Sequence, residues 1–205
     1  MRQSSTEFSQ LLVKAGRGVG LPLGLAEDLI ESVIWLQICG FPGEYEFHTA
    51  LSALDQGRTE ARFPDLLKTD EAISLDRVSA VYLATAACDL LQLDWPEVGE
   101  EVLLPETESP RLVAAALALS HRLLRRERYL RIVTPDEVFI SGPSAEVTCV
   151  SKEPEHRTPS GIDKGWIRLS TEQAEFDGEG TVLIDVEKEA RFQEVCRLKG
   201  LCASP

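Results

Sequence analysis

The chain has 205 residues, 43% hydrophobic and 27% charged, a composition that suits one folded domain spanning 1–205 and excludes a disordered or fibrous chain. Its formal net charge of -13 repels phosphate backbones and anionic lipid, so nucleic acid is not an expected partner. The longest apolar runs, Ala80 to Cys88 and Leu112 to Leu119, fall short of the roughly 20 residues that a bilayer span needs, and no membrane association is expected.

The first residues, Met1 to Glu7, turn polar and acidic and lack the apolar stretch of a signal peptide, so a cytoplasmic location is expected. Ser4 and Glu7 have capping-box spacing, and Phe8, Leu11, Leu12 and Ala15 repeat at helical intervals, which predicts a first helix over Ser4 to Ala15. Gly16 is expected to end it. A glycine-rich connector from Gly16 to Gly24 then leads into a second helix reaching Cys39, with Ala26, Leu29, Ile30, Val33 and Leu36 on one face.

A third helix is predicted from Glu44 to Gln56, and a fourth from a cap at Ser74 until Asp94-Trp95-Pro96 breaks it. The segment Pro96 to Pro110, rich in Glu and Pro, reads as an exposed connection. A fifth helix, Arg111 to Arg128, is apolar almost all round in its first half.

From Tyr129 the period changes to two. Tyr129 to Val133, Val138 to Ser141, Ala145 to Val150, Gly165 to Ser170 and Thr181 to Val186 read as strands. Residues Lys152 to Gly161 form a polar, proline-punctuated loop, and a final helix places Phe192, Val195 and Cys196 inward. Helices precede strands, so the expected class is α+β: a helical part over 1–128, then a mainly antiparallel sheet over 129–205 with a C-terminal helix.

Two segments carry positive charge that the net figure conceals. In the connector, backbone N–H groups near Gly18, Gly20 and Gly24 could approach an anion at the start of the second helix, with Lys14 and Arg17 adding charge. The spacing is G-x-G-x-G and it follows a helix, so it is neither a dinucleotide fingerprint nor a P-loop. A helix–helix turn, with Arg17 and Glu27 paired internally, accounts for the same residues.

The second segment holds Arg122, Arg125, Arg126, Arg128 and Arg131, with His121 alongside. Arg122, Arg125 and Arg126 are neighbours on one helical face, suited to clamping a carboxylate or meeting an acidic surface. A solvated face paired with this chain's own carboxylates is the alternative.

His48, His121 and His156 are too scattered for a metal-ligand spacing, so no metal and no cofactor is expected. The odd set Cys39, Cys88, Cys149, Cys196 and Cys202 contains no C-x-x-C pair and reads mostly as buried thiols, with Cys202 expected to be the exposed one. No serine lies in a G-x-S-x-G elbow, and the carboxylates are too numerous to single out an acid or base.

The run Lys14-Ala15-Gly16-Arg17-Gly18-Val19-Gly20-Leu21-Pro22-Leu23-Gly24-Leu25-Ala26-Glu27, continuing to Trp35, resembles a bacterial family known only as domain of unknown function 3726. Lys14, Arg17, Gly18, Gly20, Gly24, Leu25, Ala26, Glu27 and Trp35 match its pattern, while Leu23 stands where a tryptophan is expected. The resemblance implies weight for the Lys14 to Glu27 segment and no activity. The leading expectation is therefore a non-catalytic subunit or partner-binding protein of a bacterial metabolic complex, as a heteromer or homo-oligomer. The rival is a small-molecule enzyme or ligand-binding protein that takes a carboxylate or phosphate at Lys14, Arg17 and the connector. Whether the chain is an enzyme stays open.

Overall fold

A computed structural model describes residues 5–66, 77–93, 95–124, 127–142, 147–151 and 167–172. The helical repeats fold into α1 (Ser5–Gly18), α2 (Leu25–Ile38), α3 (Gly43–Asp55), α4 (Ala80–Gln92) and α5 (Pro110–Leu124). The strands are β1 (Glu101–Leu104), β2 (Tyr129–Val133), β3 (Glu137–Ser141), β4 (Val147–Ser151) and β5 (Ile167–Glu172). They form one five-stranded antiparallel sheet in the order β1-β5-β2-β3-β4. The α+β class stands, and among the described residues no helix is long and apolar enough to cross a membrane.

The core is organised around α5. Every residue from Leu112 to Leu119 is at most 5% exposed, and a helix apolar all round is stable only when enclosed. It packs on β2, β3 and β4 and is covered by α2, α3 and α4. The sheet meets it with alternate residues: Leu130, Ile132, Phe139, Ile167 and Leu169 are fully buried, while Arg131, Ile140, Arg168 and Ser170 point to the other face. Register fixes this sorting, with Leu130 opposite Ser141 and Ile132 opposite Phe139. Each large apolar side chain enclosed here contributes about 1.5–3 kcal/mol. Trp35 from α2 and Phe139 from β3 meet with ring centroids 6.2 Å apart and a tilt of 49°.

Three expectations change. The segment Pro96 to Pro110 is not an exposed connection, because Glu101–Leu104 pairs with β5 and Leu104, Thr107 and Ser109 are buried. A pairing partner far along the chain turns this short stretch into an edge strand, so the sheet draws on residues before 129. The connector is shorter than expected, since α1 continues through Gly18. Gly16 lies inside the helix because a Cβ there would stand 2.7 Å from the Ala26 Cβ of α2, so close helix packing offsets its poor helix propensity. The fourth helix begins at Ala80, where the carboxylate of Glu108 accepts the Ala80 N–H at 3.0 Å and does the work expected of a local cap. The expected cap Ser74, the loop 152–161, the strand 181–186 and the C-terminal helix lie outside the described residues.

Candidate functional site

The inner face of β3 carries two polar residues, Glu137 and Ser141, where an apolar core would leave them without partners. Helix α5 answers both. Arg111, in its first turn, donates to Glu137 through Nε at 3.0 Å and through Nη2, and its Nη1 reaches Glu46 of α3 at 2.7 Å. Ser109 also donates to Glu46, Thr134 donates to Glu137, and the guanidinium lies 5.3 Å from the Phe41 ring centroid. At the other end of α5, His121 Nδ1 lies 3.1 Å from Ser141 Oγ. Ten residues of helix rise roughly 15 Å and four residues of strand about 13 Å, so the two pairs pin α5 to β3 at matched spacing.

His121 is 1% exposed, and its Nε2 has no hydrogen-bond partner. Burial, reinforced by the positive charge of Arg128, pushes its pKa down to about 4, so the imidazole is neutral at neutral pH. The residue grouped with the basic cluster is therefore not a surface cation. Ser141 is fully buried, so this serine and histidine are closed to substrate. Nothing in sequence spacing announces either pair, because the partners come from separate elements.

The connector residues stand as follows. Lys14, Arg17, Gly18 and Gly20 are exposed, Gly24 is half-buried and Glu27 is exposed. Gly20 and Gly24 have φ of 82° and 104°, the left-handed region that glycine adopts without strain. The Gly24 N–H, which an anion at this helix start would need, donates to Glu27 Oε2 at 2.6 Å. Glu27 thus caps α2 from within its own first turn. Arg122 is half-buried in the last turn of α5, and Arg125 and Arg126 lie outside the described residues.

A cleft of about 240 Å³ opens between α2, α4 and α5. Leu29, Ala84, Ala116 and Leu119 make its apolar floor, and Asp28, Glu31 and Asp89 bring three carboxylates to it. Thr85, Gln92 and Ser120 add polar atoms, and Ser32, 3% exposed, adds a hydroxyl. Among the described residues lining the cleft there is no lysine, arginine or histidine. Burial, then the charges of Asp89 and Glu27, raises the pKa of Asp28 above the usual carboxylate value. The Cys88 thiol is pushed up to about 12, first by burial, then by Asp89 and Asp28 against a lowering contact with Ser120, so it is not a thiolate nucleophile at neutral pH. No group of three or more His, Cys, Asp or Glu among the described residues could hold a metal ion.

The helical periodicity of α2, α4 and α5 was legible, but not that Asp28, Asp89 and Ser120 face one opening. Asp28 lies outside the apolar face that Ala26, Leu29, Ile30, Val33 and Leu36 mark on α2. The cleft shares α2 with the glycine-rich segment, yet neither Lys14 nor Arg17 lines it.

No curated protein and no solved structure matches the chain. Residues 3–76, which include α1, α2 and α3, match the model of the family described as "Protein of unknown function (DUF3726)", so the resemblance seen around Lys14 to Trp35 extends through the first three helices and carries one wall of the cleft with it.

Proposed function

We propose that this chain acts by binding and not by catalysis, and that its ligand seats in the cleft between α2, α4 and α5. The observation that carries the reading is the cleft itself, an open hollow with an apolar floor and polar groups converging from three helices. Ligand sites have this construction, with apolar area for affinity and a few polar groups for orientation. Support for a non-catalytic role comes from the groups most able to do chemistry. The Ser141 and His121 pair is sealed in the core, Glu46 and Glu137 are held by Arg111, and the Cys88 thiol is kept protonated. A binding protein of this kind fits the role of an accessory subunit that reports a small molecule to a larger assembly.

A small-molecule fragment library screened by amide chemical-shift perturbation tests the reading. The expected result is that shifts cluster on Leu29, Ala84, Thr85 and Ser120 and vanish in Thr85→Trp, whose indole fills the opening. Perturbations scattered over other surfaces, or unaltered by Thr85→Trp, overturn it.

A further inference from the structure

We infer that the outward face of α1 docks a partner protein through an acidic amphipathic helix of that partner. The surface is separate from the cleft, which neither Lys14 nor Arg17 lines, so the inference stands whatever the cleft binds. Helical spacing builds the face. Phe8, Leu12 and Gly16 turn α1 toward the core, with Leu12 only 6% exposed and Gly16 against Ala26. Leu11, Lys14, Ala15 and Gly18, at i, i+3, i+4 and i+7, form a second face, and all four are exposed. Leu11 is 53% exposed, and Leu23, in the connector that follows α1, is 82% exposed.

Gly18 shows what this face is shaped for. Glycine is a poor helix former, so each glycine at the end of α1 calls for a reason. Close packing on Ala26 accounts for Gly16, and a φ of 82° accounts for Gly20. Neither applies to Gly18, which lies outside the left-handed region and where an added Cβ would meet nothing within 4 Å. A missing side chain on an exposed helical face lets a second backbone come close, because the side chains at the contact set the distance between packed helices.

Charge selects the partner. Arg17 is exposed one turn beyond Lys14, so the two cations stand about 4.5 Å apart along the helix axis. Carboxylates three or four residues apart on a partner helix match that interval, and an apolar residue beside them covers Leu11. The whole chain carries -13, which opposes a broad anionic membrane and a second copy of itself. A single narrow helix meets Lys14 and Arg17 well inside the Debye length of roughly 8–10 Å, where local charges outweigh the screened remainder.

Selection of a phage-displayed library of randomised helical peptides on the immobilised whole chain tests the inference. Enriched peptides are expected to carry Asp or Glu three or four residues apart beside an apolar stripe. In calorimetric titrations, a synthetic peptide of the enriched sequence should bind about tenfold more weakly to Leu11→Ser, to Gly18→Gln and to Lys14→Glu with Arg17→Glu. Urea midpoints of these exposed-site variants, measured alongside, should stay near the parent's. Thr85→Trp, which fills the cleft, should leave peptide binding unaltered, so the two surfaces are judged separately. A selection that enriches nothing, enriched peptides without paired carboxylates, or binding that all three α1 variants leave unchanged overturns the inference. Phosphatidylserine vesicles that recruit the chain through the same residues overturn the choice of a protein. Self-association of the chain that these variants abolish overturns the choice of a separate partner.

Discussion

His121 Nδ1 and Ser141 Oγ meet at 3.1 Å in the core, at the far end of α5 from the Arg111 and Glu137 pair. An apolar helix enclosed on all sides could slide or rotate with little change in buried area. Two polar pairs at matched spacing penalise every such displacement, since each would strand a buried polar group.

Breaking the ion pair is therefore costly. Arg111→Met leaves Glu137, with a side chain 6% exposed, as a buried carboxylate without its counter-charge. The expected loss is about 3–5 kcal/mol by urea denaturation, with part recovered when Glu137→Gln is added.

The histidine pair predicts a pH dependence. His121 has a pKa lowered to about 4 in the folded chain, below the ordinary 6.5 that the unfolded chain retains. Above 6.5 both states are neutral and the folded state keeps its full stability. As pH falls from 6.5 toward 4 the unfolded state takes up a proton that the folded state resists, and roughly 3 kcal/mol is lost by the lower limit. Urea midpoints across this range should fall more steeply in the parent chain than in His121→Gln. An imidazole carbon titration should place His121 near 4.

Gly16 tests whether the glycine run serves packing. Gly16→Ala improves helix propensity by up to about 1 kcal/mol, yet its Cβ would lie 2.7 Å from the Ala26 Cβ. Overpacking is expected to win, with a net loss of about 1–3 kcal/mol in thermal or urea unfolding. A gain in stability would show that α1 and α2 can separate freely.

Asp28 predicts an effect on stability from its raised pKa. Its pKa is raised by burial, Asp89 and Glu27, so its contribution to stability is complete below about 3.8 and is lost as pH rises through the folded value. At neutral pH Asp28→Asn should raise the melting temperature of the ligand-free chain by about 1–2 °C, the scale of a mild surface change. A melting temperature that drops on substitution would mean that Asp28 has a structural partner.

Much of the fold was legible because local pattern and burial agree. The helical repeat in Leu29, Val33 and Leu36 and the alternation in Leu130 and Ile132 are set by which side chains must leave water, and those elements form where the pattern places them. The unbroken apolar run of Leu112 to Leu119 likewise required an enclosed helix. The acidic charge and the suspicion attached to Lys14 to Glu27 also came from the chain itself.

Tertiary structure decided the rest, because it concerns partners distant in the chain. A strand at Glu101–Leu104 exists through pairing with Ile167 to Ser170, and Gly16 is helical through Ala26. His121 sits among arginines in sequence, yet folding buries it against Ser141 and makes it neutral. Asp28, Asp89 and Ser120 look like unrelated polar positions on separate helices until α5 brings α2 and α4 together. Helical periodicity specifies a face, and only packing specifies what that face meets.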